Sequence, residues 1–282
     1  MNALEIRGLT KQYKDFQLKN LNLTLPSGCI MGLIGENGAG KTTTIQLILG
    51  AIARDGGTVS VLGQDNLSAQ ADFKEEIGVV LDESCLPTYL NARQIGNVMA
   101  GIYRNWDRAA YDNYLKIFAL PEKKLMYQFS RGMKMKLAVA VALSHHPKLL
   151  ILDEATSGLD PVVRDEILEI FLNFTRQEDH SILISSHILS DLEKICDYIA
   201  YLHRGSLLFC EEKDTLLEKY GLLKCTAQEL ASLDKSAILA YRQNPYGVEA
   251  LVIRDQIPQH MTPDRISIED IIVFQARGEH IQ

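Results

Sequence analysis

The composition of this 282-residue chain restricts the kind of protein that it encodes. Hydrophobic residues make up 46% of the sequence and charged residues 23%, which is typical of one large or two modest globular domains. The formal net charge of -7 argues against nucleic acid as a partner, because binding to a phosphate backbone requires clustered Lys and Arg.

Membrane and export signals are also missing from the sequence pattern. The amino terminus has no basic segment followed by an apolar one, and no uncharged apolar stretch reaches the roughly 18 residues that a membrane helix needs. The five cysteines are odd in number, widely spaced and without a CxxC pair. We therefore expect a cytoplasmic protein with no membrane span of its own.

The first 50 residues predict a β layer followed by a strand–loop–helix unit. Apolar residues alternate at Leu4 and Ile6 and again from Leu21 to Leu25, which is typical of half-buried antiparallel strands. The apolar run over residues 29–34 is short and hydrophobic on both faces, like a buried strand. A Gly-rich turn and a helix-like segment at residues 45–49 follow it.

At about residues 84–146 the spacing of apolar residues changes from every second residue to every third or fourth. This helical spacing predicts an inserted helical subdomain. Two further buried strands are predicted at residues 149–152 and 182–184. They flank a helix that Asp160 can cap, with Pro161 in the favoured first position. Strands that alternate with helices imply an α/β fold with a mainly parallel sheet.

The predicted domain boundary lies after residue 215. Residues 1–215 contain the antiparallel layer, the parallel sheet and the helical insertion. Residues 216–282 show shorter strands and one late helix near Ser267 to Gln275, which predicts a small C-terminal α/β appendix. This appendix carries no motif that indicates its role.

Residues 35–42, GENGAGKT, match the phosphate-binding pattern GxxxxGK[ST] between a buried strand and a helix start. The glycines let the backbone curl so that its N–H groups face phosphate, Lys41 reaches the β- and γ-phosphates, and the Thr42 hydroxyl can bind Mg²⁺. A Gly-rich loop with a chance lysine is the alternative, which the flanking elements disfavour. The pattern indicates a P-loop NTPase core. Its predicted nucleotide-binding residues are Gly35, Asn37, Gly38, Ala39, Gly40, Lys41, Thr42 and Thr43.

Two carboxylates, Asp153 and Glu154, follow the buried strand at residues 149–152. Ligands of open α/β sheets gather at the carboxyl ends of the strands. Asp153 is predicted to hold Mg²⁺, and Glu154, on the other side of the strand, to polarise an attacking water. The alternative is that the two acids are only a solvated pair in a loop. The presence of a phosphate-binding loop in the same chain disfavours this alternative.

Three further segments carry a resemblance to a known family. Residues 129–133, FSRGM, precede the acidic pair by about 20 residues, residues 157–160 read SGLD, and His187 follows the strand at residues 182–184. In this order they resemble the signature sequence LSGGQ, the D-loop and the switch histidine of the nucleotide-binding subunits of ABC transporters. The resemblance covers roughly residues 3–215.

The resemblance implies specific roles for these residues. Ser130 and Gly132 are the two signature positions retained, and in the family they contact the γ-phosphate held by the opposite subunit. Asp160 would line the subunit interface, and His187 would contact the γ-phosphate and orient the water. Tyr13 stands at the aromatic position that stacks on adenine. Simpler structural roles stay open: Ser130 and Asp160 can cap helices, and Tyr13 can pack in a core.

Some positions depart from the family pattern. Asp82 stands where the family usually has a glutamine whose amide contacts Mg²⁺ and water, and an acid there can still bind a hard cation. Ala155 replaces a proline after the acidic pair, and Arg131 and Met133 alter the signature. We expect a divergent branch of the family with lowered activity.

The resemblance implies an Mg²⁺-dependent ATPase. Two such chains, identical or related, would close head to tail over ATP, and a separately encoded membrane permease would hold them at the inner face of the cell membrane. A soluble ABC ATPase with a nucleic-acid, ribosomal or regulatory role is the alternative, although the sequence shows neither tandem modules nor a basic surface. A P-loop GTPase is disfavoured because no guanine-reading NKxD element occurs, and a P-loop kinase because it has no use for the signature, D-loop and switch-histidine segments.

Overall fold

The computed structural model describes residues 2–68, 71–81, 86–245 and 247–277, without the side chains of residues 71, 72 and 277. The chain divides into two compact units, Met1–Phe209 and Cys210–Gln282. This division falls slightly before the boundary predicted after residue 215. Asp82 lies outside the described residues, so its predicted role stays a prediction.

The described chain contains both strands and helices. In order, they are β1 (Asn2–Gln12), β2 (Gln17–Pro26), β3 (Ile30–Ile34), α1 (Lys41–Ile48), β4 (Gly56–Val61), β5 (Gln64–Asp65), β6 (Ile77–Val80), α2 (Ala92–Ala100), α3 (Arg108–Ile117), α4 (Arg131–Leu143), β7 (Leu149–Asp153), α5 (Pro161–Phe174), β8 (Ser181–Ser185), α6 (Leu189–Ile195), β9 (Tyr198–His203), β10 (Ser206–Glu212), α7 (Lys213–Lys219), β11 (Tyr220–Cys225), α8 (Ala227–Ser232), β12 (Ile238–Asn244), β13 (Gly247–Ile253) and α9 (Ile268–Arg277).

The first unit is built on two sheets, as the sequence predicted. The antiparallel sheet has the order β2-β1-β4-β5, and in β2 the apolar Leu21, Leu23 and Leu25 are buried while the polar residues between them are exposed. The second sheet has the order β10-β9-β3-β8-β7-β6, and the pairs β9–β3, β3–β8, β8–β7 and β7–β6 are parallel. Every residue of β3, β7 and β8 is buried, which explains their uninterrupted apolar runs. The predicted fold class is confirmed.

Helices α2, α3 and α4 occupy the segment that was predicted to be a helical insertion. Asn91 caps α2 in a reciprocal capping box with Gln94, and Asp107 caps α3. The buried Tyr111 joins the two helices, because its hydroxyl on α3 donates to the carbonyl of Ala92 at 2.8 Å. These local signals fix where each helix begins.

The second unit is a small α/β structure. Its antiparallel sheet has the order β11-β13-β12, with a core that includes Leu223, Ile238 and Val252. Helix α9 lies where the late helix was predicted, and the Ser267 hydroxyl accepts the backbone N–H of Asp270 in its first turn. In the described part of the chain, no helix is both long enough and apolar enough to cross a bilayer.

The turn between β9 and β10 fixes the antiparallel sheet against the loop before α1. Gly205 donates its N–H to the Ala39 carbonyl at 3.0 Å and accepts the N–H of Lys19 at 2.7 Å. It has a φ of 78°, and a Cβ added there would overlap the carbonyl oxygen of Gln17. Only glycine meets both requirements.

We expect Gly205→Ala to destabilise the protein by about 2–4 kcal/mol. An alanine is strained at this positive φ, and its methyl group would push the Gln17 carbonyl of β2 away. Chemical denaturation followed by circular dichroism measures the loss. The matched control is Gly101→Ala: Gly101 ends α2 with a right-handed φ of -87°, and its nearest contact is at 3.4 Å. An alanine at position 101 should change stability by less than about 1 kcal/mol. Equal effects of the two changes would contradict the steric argument.

Candidate functional site

The predicted site residues follow three adjacent strands of the parallel sheet. The phosphate-binding loop follows β3, Glu154 follows β7, and His187 lies just after β8. Because β8 pairs in parallel with both β3 and β7, the carboxyl ends of all three strands meet at one edge of the sheet. Residues far apart in sequence thereby share one site.

The loop between β3 and α1 has the backbone curl predicted from its glycines. Gly38 and Gly40 have φ values of 81° and 111°, which L side chains rarely adopt. The loop folds around the buried Lys41, whose Nζ donates to the carbonyl of Gly35 at 2.7 Å and contacts that of Glu36 at 3.4 Å. The ammonium group is therefore held inside the loop, at the amino-terminal end of α1.

Asp153 and Thr42 form the part of the site that suits a hard cation. The Thr42 hydroxyl donates to Asp153 Oδ2 at 3.1 Å, and the Ser185 hydroxyl donates to Asp153 Oδ1. Asp153 is only 5% exposed. An all-oxygen set with one fixed carboxylate fits Mg²⁺, which commonly takes one or two protein ligands together with substrate phosphates.

Glu154 has different partners from its neighbour Asp153. Its carboxylate lies 2.6 Å from His187 Nδ1 through Oε2, and 3.9 Å from Lys41 Nζ through Oε1. A φ of 53° places it in the left-handed region, and its N–H donates to the Ser185 carbonyl at 3.1 Å. Backbone strain of this kind concentrates at functional sites. The arrangement presents a carboxylate that can accept a proton beside two cationic or hydrogen-bonding groups.

These groups surround one cavity of about 980 Å³, near the upper end of the range typical of small-molecule sites. Its lining residues come from the phosphate-binding loop, the loop after β7, His187 and the turn before β2. They are Asp15, Phe16, Gly35, Glu36, Asn37, Gly38, Gly40, Lys41, Thr42, Thr43, Glu154, Ser157 and His187.

The aromatic residue at this cavity is Phe16, which the sequence analysis missed. A Cβ added to Gly40 would come within 2.8 Å of Phe16 Cζ, so the ring packs closely over the loop. Tyr13 is 41% exposed and lies outside the lining, with ring centroids 6.4 Å from Phe16. Stacking of Tyr13 on a base stays a prediction. Phe16 lies in the turn before β2, three positions after Tyr13, and is the second aromatic residue of that turn.

The signature-like and D-loop-like segments contact each other beside the cavity. Ser130 caps α4 by accepting the N–H of Met133 at 3.2 Å, and Asp160 caps α5. An added Cβ on Gly158 would come within 2.6 Å of the Arg131 guanidinium, so the two segments pack tightly. Ser130, Gly132 and Asp160 are absent from the cavity lining of their own chain.

Ser185 is a second residue that sequence reasoning missed. As the last residue of β8, it binds the Asp153 carboxylate with its hydroxyl and accepts the Glu154 N–H with its carbonyl. It thereby orients both acids of the pair. The polar run Ser185–His187 directly after a buried strand was the available signal.

Comparison with protein families gives two matches to this chain. A family model described as "ABC transporter" matches residues 18–157, and a second, described as "AAA domain, putative AbiEii toxin, Type IV TA system", matches residues 125–190. Both matches include residues of the nucleotide cavity or of the segments packed beside it.

Similar curated proteins are subunits of bacterial transporters. The bacitracin transport ATP-binding protein BcrA of Bacillus licheniformis is 37% identical over 71% of this chain and 66% of its own length. The lantibiotic transport ATP-binding protein SrtF of Streptococcus pyogenes is 34% identical over 75% of this chain and 91% of its own length.

Solved structures agree with the family. CbiO1 from Clostridium perfringens, part of the ABC transporter complex cbiONQ, aligns with a TM-score of 0.66 at 26% identity, over 77% of this chain and 92% of that one. The dimeric ATP-binding cassette MJ0796 bound to ADP and Pi aligns with a TM-score of 0.67 at 22% identity, over 74% and 98% of the two chains, and shows the same fold. With the site geometry and these relatives in agreement, the chain belongs to the ABC transporter ATP-binding subunits and is an ATPase.

Proposed function

We propose that this chain powers a membrane transporter by hydrolysing ATP between two cassette chains, with Glu154 as the base. The observation that carries this proposal is the convergence of Lys41, Glu154 and His187 at one cavity beside the Thr42–Asp153 pair. Phosphoryl transfer to water needs neutralised phosphate charge and an aligned nucleophile. These residues supply both.

Lys41 and His187 are each expected to leave their present partners and contact the γ-phosphate when ATP binds. In the structure, Lys41 Nζ is held by loop carbonyls and His187 contacts Glu154. A γ-phosphate carries more negative charge than either partner and would attract both groups. Glu154 would then be left to accept the proton of the attacking water.

Mg²⁺ is the metal ion that Thr42 and Asp153 would hold. Bound there, it would neutralise charge on the β- and γ-phosphates. Ser185 keeps the Asp153 carboxylate oriented by donating its hydroxyl to Oδ1. Asp82, if it contributes as predicted, would add a second carboxylate to the residues that hold Mg²⁺.

A second ATPase chain is part of the proposal because the signature-like segment lies outside its own cavity. Ser130 and the amino terminus of α4 form a hydrogen-bonding, electropositive end that is suited to phosphate. Asp160, which caps α5, would lie at the same interface. The dimeric MJ0796 cassette, which shares the fold, supports pairing of this kind.

The membrane permease would be a separate chain. CbiO1 is described as part of the complex cbiONQ, and BcrA and SrtF are named for bacitracin and lantibiotic transport. We propose that this ATPase docks on its permease at the inner face of the cell membrane. Peptide antibiotics are the first cargo class to test.

We expect Glu154→Gln to retain ATP binding but to lower the turnover number by at least about 100-fold, because the amide cannot accept the proton. It should also form an ATP-dependent dimer, since ATP joins the chains and is no longer consumed. ATPase assays and light scattering measure the two effects. Adding Lys41→Ala to Glu154→Gln provides the control and should abolish the dimer. Activity within a few-fold of the parent would contradict the assigned base.

We expect Ser130 to act on the nucleotide of the partner chain. Ser130→Ala and Glu154→Gln chains should each be weakly active alone. In an equimolar mixture, random pairing restores one intact site in half of the dimers, or about a quarter of parental activity. Asn91→Ala controls for the lost helix cap, because it removes the cap of α2 at a similar cost of about 1 kcal/mol. A mixture no more active than the average of its components would contradict action between chains.

We expect the chain to sediment with membranes only when its permease is co-expressed. The candidate permease is a membrane protein encoded beside this chain, and the assay compares membrane fractions with and without it. Lys41→Ala should still bind membranes, because docking does not use the phosphate site. Membrane-independent association with ribosomes or DNA would instead support a soluble ABC ATPase.

A further inference from the structure

Two helices of the first unit each begin at a functional segment. Helix α5 starts immediately after the D-loop-like residues 157–160, and α6 starts two residues after His187. The helices pack together and are joined by two ion pairs, Arg164–Asp191 and Lys194–Asp165. A physical connection therefore runs between the two segments.

Arg164 on α5 contacts both the D-loop-like segment and helix α6. Its Nη2 donates to the carbonyl of Leu159 at 3.0 Å, within the D-loop-like segment. Its Nε faces Oδ2 of Asp191 on α6 at 3.7 Å. The planar fork of an arginine can hold two such partners at once, which the single ammonium of lysine cannot reproduce.

The Arg164–Asp191 contact is incomplete. In the part of the chain that the structure describes, Arg164 Nε and Asp191 Oδ2 are both shielded from solvent and have no hydrogen-bond partner. At 3.7 Å they are too far apart for a hydrogen bond and too close to admit a bridging water. Buried charged atoms without partners are costly, so an approach of less than about 1 Å would be favoured.

Asp191 is coupled to the switch histidine through the first turn of α6. Its N–H donates to the carbonyl of Ile188, the residue after His187, at 3.2 Å. His187 in turn contacts Glu154 at 2.6 Å. A shift of Asp191 toward Arg164 would therefore move the backbone that carries His187.

We propose that Arg164 is a positioning residue that couples residues 157–160 to His187 through Asp191. A second chain bearing on residues 157–160 closes the Arg164–Asp191 contact, and closure aligns His187 with the phosphate. The coupling rests on the proposed function, because it requires the two-chain ATPase.

The test uses the full chain with Arg164→Lys, Asp191→Asn and the double variant. Asparagine preserves the shape of Asp191, so folding is retained, and thermal unfolding checks this. Each single variant should lower kcat about tenfold, with KM for ATP within about twofold, because the loss falls on alignment rather than on binding. The double variant should be no slower than the slower single variant, since both break one contact.

Lys194→Ala is the matched control. It removes the exposed ion pair with Asp165 between the same two helices and should leave kcat within about twofold of the parent. In the Glu154→Gln background, Arg164→Lys should still form the ATP-dependent dimer, which places the defect after association.

Parental kcat in both single variants, multiplied losses in the double variant, or an equal loss in Lys194→Ala would overturn the coupling. Failure of the proposed function looks different, because there Glu154→Gln would remain active. If Glu154→Gln abolishes turnover while Arg164→Lys and Asp191→Asn match the parent, the ATPase assignment stands and the coupling is wrong.

Discussion

The site depends on the parallel pairing of β8 with β3 and β7. In the register of the sheet, Ser185 lies opposite both Leu33 and Asp153, so the carboxyl ends of the three strands are level to within one residue. The phosphate-binding loop, the acidic pair and His187 follow these ends. Because β8 is buried and is paired with a strand on each side, it restrains the positions of these groups relative to one another.

Charge is distributed unequally at this edge of the sheet. Lys41 is buried against carbonyl oxygens, whereas the acidic pair divides its partners, Asp153 toward Thr42 and Ser185, and Glu154 toward Lys41 and His187. The left-handed backbone at Glu154 accompanies this separation. One acid is thereby suited to a metal ion and the other to a proton, although they are adjacent in sequence.

The signature-like and D-loop-like segments, which we propose form a second functional surface, lie outside the lining of the chain's own cavity. Ser130 and Asp160 cap helices, Arg131 packs against Gly158, and Arg164 extends from the D-loop-like segment toward α6. Capping and catalysis are compatible here, because a capped helix start still presents N–H groups. In the proposed dimer, the cavity of each chain would be completed by the signature-like segment of the other.

Local patterns in the sequence determined the strands, the helix caps and the phosphate-binding loop. Alternation, apolar runs, Asp160 before Pro161 and the glycines around Lys41 each act over a few residues, so they can be recognised without the fold. Only the tertiary structure decided that Phe16 rather than Tyr13 lines the cavity, that Ser185 orients both acids, and that Arg164 faces Asp191. These contacts join residues separated by many positions, and their distances follow from strand register and helix packing, which no local pattern encodes.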